Sequence, residues 1–226
     1  MSANTDHCTA LSWEDFHTHT SAIGEKVVES GFEPEVIVAI ARGGLMPAAQ
    51  LCNLLGVRDL LSFQVTHWQA PGQTSEEGAI IRQPLAAKLN GKSVLLVDDI
   101  VHTGKTFKTA LKHLEEQGAG EVKTASLFVM EGSAFSPDYF SEQAREAWLI
   151  FPWSLKEDLT HFVKKQLEAT PRAIPLKEIQ HMMVKSHELY APAKDVEAAL
   201  HFLELRGFAR SIPAKRWGGE VMWQKR

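Results

Sequence analysis

The run Val94-Leu95-Leu96-Val97 breaks into two adjacent carboxylates, Asp98 and Asp99, and after Ile100 and Val101 into a small-residue turn, His102-Thr103-Gly104-Lys105-Thr106, from which a helix starts. An unbroken apolar run bounded in this way suits a strand covered on both faces, as in a parallel sheet with helices on either side. A second run, Val36-Ile37-Val38-Ala39-Ile40, has the same character and leads directly into Ala41-Arg42-Gly43-Gly44. Strand, turn and helix repeated along the chain predict right-handed βαβ units and an open, mainly parallel α/β sheet.

The other segments fit that frame. Residues 12–30 have the periodicity of an amphipathic helix with Phe16, Ile23, Val27 and Val28 on its apolar face, ended by Gly31. A helix is expected over 47–55 before Gly56, and a strand over 59–65. Residues 66–88 are polar, contain Pro71, Gly72, Gly78 and Pro84, and read as a long mobile loop, a kind that is usually functional or disordered. After a strand over 93–97 come a helix over 105–117 with Phe107, Ala110, Leu111 and Leu114 as its stripe, a strand over 122–130 and a short strand over 148–151.

Beyond Thr170 the pattern changes. Helices over 176–187 and 193–206 precede segments 208–212 and 220–224, which can pair as a hairpin around Trp217-Gly218-Gly219. This order suggests a winged-helix module, with an oligomerisation or lid appendage as the alternative. The expected division is residues 1–168 and residues 172–226. The second part carries ten Lys and Arg against six Asp and Glu, while the whole chain has a formal charge of −4. A mildly basic tail suits contact with DNA or an ordinary solvated face.

Composition narrows the setting. The 226 residues include two cysteines, Cys8 and Cys52, in no recognisable pairing pattern, and no apolar run approaches the roughly 20 residues that span a bilayer. The first residues are polar and acidic, so the cytoplasm is the expected compartment and no membrane partner is expected.

At the end of a parallel strand, a small-residue turn that opens a helix aims backbone N–H groups and a partial positive charge at one spot, which favours a phosphate. Thr103 and Thr106 add hydroxyls, Gly104 admits close approach and Lys105 adds charge. Asp98 and Asp99 can accept hydrogen bonds from a diol or hold the hydration shell of Mg²⁺. The combination fits a sugar phosphate. A Walker A loop needs two glycines at fixed spacing before its Lys, and a dinucleotide loop needs G-x-G-x-x-G; neither pattern is present.

VDDIVHTGKT resembles the phosphoribosyl pyrophosphate (PRPP) signature of the type I phosphoribosyltransferases. VIVAIARGGLMPA is similar to that family's pyrophosphate-binding loop, and PDYF with AWLIFPW resembles the purine-binding end of its xanthine-guanine and archaeal-type hypoxanthine/xanthine members. The resemblance covers about residues 13–159 and implies the type I fold, an open, mainly parallel twisted sheet flanked by helices with a small hood. It implies that Asp98 and Asp99 take the ribose hydroxyls and Mg²⁺, and that Thr103, Gly104, Lys105 and Thr106 cradle the 5′-phosphate. By the same resemblance Ala41, Arg42 and Gly43 clasp the pyrophosphate, where the family often uses a strained peptide. Trp148 would stack on a purine, backbone groups from Trp148 to Ile150 would read its edge, and the loop over 66–84 would close over the reaction. Members are commonly dimers or tetramers.

Two positions depart from that pattern. Purine members usually carry an acidic residue where His102 stands, near purine N7 as a candidate general base. Histidine can exchange a proton near neutral pH; the alternatives are a tolerated replacement that meets solvent or phosphate, and altered chemistry. Where those enzymes carry a lysine that donates to the purine 6-oxo group, this chain has Met130, which cannot donate. Either the base is not a 6-oxopurine or another donor, His67 or Lys156, takes over. Two functions remain in view: a Mg²⁺-dependent phosphoribosyltransferase acting on a purine or purine-like base, with Arg42, Asp98, Asp99 and His102 as its catalytic group, and a PRPP- or nucleotide-sensing regulator that binds DNA through residues 172–226. The H-T-H of His17 and His19 places two side chains on different helix faces and does not suggest a metal pair.

Overall fold

The computed structural model describes residues 7–66, 68–70, 73–74, 78–145, 147–213 and 219–226, with 68–70 and 73–74 as backbone only. In chain order the elements are β1 (Cys8–Ala10), α1 (Trp13–Glu29), β2 (Val36–Ala41), α2 (Leu45–Leu55), β3 (Asp59–Thr66), β4 (Trp68–Ala70), β5 (Gln73–Thr74), β6 (Ile80–Gln83), β7 (Val94–Val101), α3 (Lys105–Glu116), β8 (Val122–Met130), β9 (Tyr139–Ala144), β10 (Trp148–Ile150), α4 (Leu155–Ala169), β11 (Ile174–Pro175), α5 (Leu176–His187), α6 (Ala193–Leu205), β12 (Ala209–Ile212) and β13 (Met222–Lys225). They form two compact units, one from Trp13–Glu146 and the other from residues 7–12 with Ala147–Arg226.

The first unit is an open six-stranded sheet of order β6-β3-β2-β7-β8-β9. All neighbours are parallel except β6, which runs antiparallel to β3. Strands β2 and β7 carry the apolar runs noted above, and Val36 to Ile40 and Val94 to Val97 are at most 2% exposed. Alternation divides these side chains between the two faces. Val36, Val38, Ile40, Val94 and Leu96 share a core with Phe107, Ala110 and Leu114 of α3, while α1 and α2 lie against the sheet on its other face. The buried stripe of α1 is Phe16, Thr20, Ile23, Gly24 and Val27; Val28, expected on that face, is 67% exposed. Gly24 takes part because a larger residue would press on Leu54 of α2.

Two segments differ from the sequence expectation. Residues 66–88 are not a featureless loop. The β-branched pair Ile80-Ile81 pairs with β3 at the sheet edge, and β4 and β5 pair with each other. From Ala79 onward the chain is tied to α3: Thr109 Oγ1 donates to Ala79 O, and buried His113 accepts the Leu85 N–H through Nε2 at 3.0 Å. Strand β9 extends the sheet beyond β8, held by Ser141 near His19 Nδ1 and by Tyr139 OH near Ser30 Oγ.

The second unit contains more than the expected 172–226 module. Ile150 of β10 and Leu159, Phe162, Val163 and Leu167 of α4 share one core with Ile174, Ile179, Met183, Val196, Leu200, Leu203 and Trp223. Packing thus places the boundary before β10 instead of at 168–172, because the apolar side of α4 needs α5 and α6 to cover it. The expected hairpin is present as β12 paired with β13, and β11 adds a third antiparallel strand in the order β11-β13-β12. Trp217 and Gly218 of its turn lie outside the described residues. Among the described residues, no helix is long and apolar enough to cross a membrane.

Candidate active site

The sheet itself indicates where a ligand belongs. From β2 the chain crosses through α2 to β3 on one side, and from β7 it crosses through α3 to β8 on the other. The β2/β7 border is therefore the point where strand order reverses, and ligands of open α/β sheets bind outside the carboxyl ends of the strands there. Ala41, Arg42 and Gly43 leave the end of β2, Asp98 and Asp99 lie near the end of β7, and Thr103 to Thr106 enter α3. The sequence-predicted phosphate and diol residues thus come together on one rim. Two helix N-termini, at Leu45 and Lys105, open at the same rim.

Close packing fixes these loops. A Cβ on Gly43 would collide with the Asp99 carboxylate, and one on Gly44 would run into the carbonyls of Val97 and Ile40. The Ala41–Arg42 peptide is cis, and Arg42 is exposed. Gly44 N–H donates to Ile40 O at 2.9 Å, which turns the chain from strand into helix. Gly104 adopts φ 78° before α3, a conformation that favours glycine. A Cβ there would fall on Phe135, whose ring stacks on Phe107 at 5.1 Å.

Asp98 is 8% exposed and accepts the Asp99 N–H at 3.0 Å through Oδ1. Burial pushes its carboxyl well above the usual carboxylate range, and the charge of Asp99 pushes the same way, while backbone N–H groups of Asp99 and Gly44 oppose the rise. The pair offers hard oxygen donors whose mutual repulsion a divalent cation relieves, so these residues fit Mg²⁺. Two carboxylates leave most of its coordination to water and substrate oxygens. Among the described residues, no group of three or more His, Cys, Asp and Glu side chains could hold a metal by itself. His102 is half-buried beside this turn, with Nδ1 shielded from solvent. Thr103 and Thr106 are half-buried, and Lys105 is exposed.

The residues expected at the base receive different settings. Met130 is 3% exposed at the end of β8, with neither a donor nor an open surface to offer. Trp148 and Ile150 belong to the second unit. Trp148 N–H donates to His7 O at 2.8 Å, and Ile150 O accepts the Leu11 N–H at 2.9 Å, in a parallel ladder with β1. In such a ladder, alternate residues turn their backbone groups to the same side. The groups of Trp148 and Ile150 are therefore occupied by β1, and those of Leu149 face the open edge. Ile150 also buries its side chain completely, so within the expected stretch 148–150 it is Leu149 whose backbone groups are open.

Of the alternative donors, exposed Lys156 lies 4.9 Å from the Phe202 ring centroid, and His67 lies outside the described residues. His17 contacts Gln50, while His19 packs on Phe128, so the two histidines do separate. Neither Cys8 nor Cys52 is in a disulfide, and burial pushes Cys52 up, away from reactivity. Trp153 stacks on Phe151. Phe135 was not singled out by its sequence pattern; only the Gly132-Ser133 turn before it signals a placed aromatic.

An open α/β sheet with a phosphate-type turn, a carboxylate pair and a glycine loop at its switch point defines a sugar-phosphate-binding α/β protein. Comparison with known proteins takes this further. Residues 12–158 match the phosphoribosyl transferase domain, and the chain belongs to that family. It is 31% identical over 158 residues to the xanthine-guanine phosphoribosyltransferase of Gluconobacter oxydans, covering 68% of this chain and 90% of that protein. A purine phosphoribosyltransferase from Pyrococcus horikoshii superposes with TM-score 0.56 at 32% identity, covering 65% of this chain and 93% of the other. The Helicobacter pylori xanthine-guanine-hypoxanthine phosphoribosyltransferase, 21% identical, shares the fold with TM-score 0.54, covering 73% and 100% of the two chains. The protein is accordingly a phosphoribosyltransferase.

Proposed function

We propose that the enzyme transfers the 5-phosphoribosyl group of PRPP to a purine or purine-like base in a Mg²⁺-dependent reaction that releases pyrophosphate. The observation that carries this reading is the apposition of Gly43 to Asp99 at the β2/β7 switch point, which sets a pyrophosphate-type loop against a diol-type carboxylate pair. The base class is supported by relatives named for xanthine, guanine and purine at 31% and 32% identity.

Each element then has a role. Backbone N–H groups from Thr103 to Thr106 hold the 5′-phosphate at the start of α3. Asp98 and Asp99 accept the ribose hydroxyls. Arg42 and the backbone of 41–43 hold the pyrophosphate as its bond to C1 breaks, and stabilising that departing charge is the largest catalytic contribution. The base nitrogen adds to C1 from the opposite face and gives up its proton, for which His102 of the turn is the candidate acceptor. Mg²⁺ held by Asp98 and Asp99 would supply further neutralisation of the leaving group. Trp148 stacks on the base, and Leu149 offers its backbone groups to the base edge. A dimer or tetramer in the cytoplasm belongs to the same reading.

The test is a panel of purine and purine-like bases with PRPP and Mg²⁺, run for the wild type and His102→Asp. Pyrophosphate release with at least one base is expected. PRPP binding without turnover on any base would overturn the reading.

For the C-terminal elements we favour the winged-helix class. The order α4-β11-α5-α6-β12-β13 with a three-stranded antiparallel sheet supports it. It also keeps open a second reading, a regulator that binds DNA through residues 172–226. The exposed side of α6, with Lys194, Glu197, Ala198, His201 and Leu205, is not the basic face that reading needs. Retardation of DNA that weakens steeply with salt would support the regulator, and no retardation at low salt would remove it.

A further inference from the structure

Asp158 is a carboxylate 5% exposed within the second unit, on the first turn of α4. A buried carboxylate is tolerated only where hydrogen bonds compensate it, and here they do. Oδ1 accepts the indole N–H of Trp148 at 3.2 Å. Oδ2 lies 2.6 Å from Ser154 Oγ, which donates to it. The backbone N–H of Asp158 also closes the first turn of α4 on Ser154 O at 3.0 Å, so the carboxylate is itself fixed.

Trp148 is thereby held at two points. Its backbone is fixed by β1 through His7 O, and its ring by Asp158 through Nε1. The indole is half-buried and packs against the core of the second unit, with the remaining surface open. An indole tethered through its N–H keeps one ring orientation, whereas an untethered ring would exchange rotamers. A stacking platform works only when its plane is set before the ligand arrives.

We propose that Asp158 is a positioning residue that sets the plane of the Trp148 indole for base stacking. It touches no substrate and acts only through the ring. This inference rests on the proposed placement of the base against Trp148, and it assigns to α4, at the margin of the family match, a part in base affinity.

The test uses the full chain with Asp158→Ala, Asp158→Asn and Trp148→Phe. Asparagine keeps an oxygen to accept the indole N–H, whereas alanine removes it. For Asp158→Ala, the KM for the base is expected to rise by about tenfold, with the KM for PRPP within about twofold of wild type. Asp158→Asn should recover most of the loss. The chain has six tryptophans, so the Trp148 emission is read by subtracting the Trp148→Phe spectrum. That component should shift in Asp158→Ala and return in Asp158→Asn. Equal rises in both KM values, or an unchanged Trp148 component in Asp158→Ala, would overturn the proposal. Should the wild type bind no base, the placement of the base fails, and the emission component alone decides whether Asp158 holds the ring.

Discussion

The Asp99 carboxylate occupies the space that any side chain at Gly43 would need, so the loop after β2 and the acidic end of β7 are packed as one surface. Gly43 cannot gain a side chain without displacing the Asp99 carboxylate.

Gly43→Ala should therefore act on the reaction more than on the fold. The displaced group is a half-buried carboxylate on the rim, so the melting temperature should change little. The expected result is a loss of about tenfold or more in kcat/KM for PRPP, since small misplacements at a reacting centre are costly. Steady-state pyrophosphate release measures it, and activity within twofold of wild type would contradict the packing argument.

Gly104→Ala combines a φ of 78° with a collision on Phe135. The left-handed conformation alone costs about 1–2 kcal/mol for a residue with a Cβ. Phe135→Ala removes the obstacle but not the backbone cost. In urea unfolding, the double substitution should be less destabilising than the sum of the two single ones, with a coupling of about 0.5–3 kcal/mol. Strict additivity would mean that Phe135 does not back the phosphate turn.

Asp98→Asn tests the buried acid. Burial first, and the Asp99 charge second, raise the folded-state pKa of Asp98 above its unfolded value. A group shifted upward stabilises the fold fully below its unfolded pKa, about 3.9, and that contribution is lost as pH rises through the folded value. Above the unfolded value the buried carboxyl thus becomes a liability that asparagine removes. The variant should melt higher than wild type at pH 7.5 without ligands, the gap should close as pH falls below about 4, and transfer activity should be lost. A variant that melts lower at pH 7.5 would contradict the assignment.

Removing residues 172–226 should not leave a working remainder. Ile150, Leu159, Phe162, Val163 and Leu167 are at most 1% exposed in a core completed by α5, α6 and β13. Each such side chain left in water forfeits about 1.5–3 kcal/mol. The truncated chain should aggregate or lose base binding, as read by size-exclusion chromatography and base titration. A soluble, fully active fragment of residues 1–171 would show the module to be a detachable appendage.

Much of the first unit was legible because its signals are local. The apolar runs of β2 and β7 are a response to burial on both faces, and the turn at Thr103-Gly104 is a response to a helix that starts on a strand end. Strands that depend on distant partners were not legible. Cys8–Ala10 is too short to carry a pattern and exists through pairing with Trp148–Ile150. That same pairing decides that Leu149, and not Ile150, turns its backbone groups to the open edge. The boundary near residue 170 followed a change in composition, whereas packing follows the apolar side of α4, whose partners lie later in the chain. Val28 had the right spacing for a core residue, yet the stripe of α1 runs through Thr20 and Gly24. Helical spacing alone does not distinguish a side chain at the margin of a face from one at its centre.

The most direct measurement is pyrophosphate release from PRPP in the presence of Mg²⁺ and each member of a purine panel, for wild type beside Asp98→Asn and Asp99→Asn. The account predicts release that requires a base, yields the matching nucleotide and falls to background in both variants. Base-independent release, or release unaffected by either substitution, would contradict it.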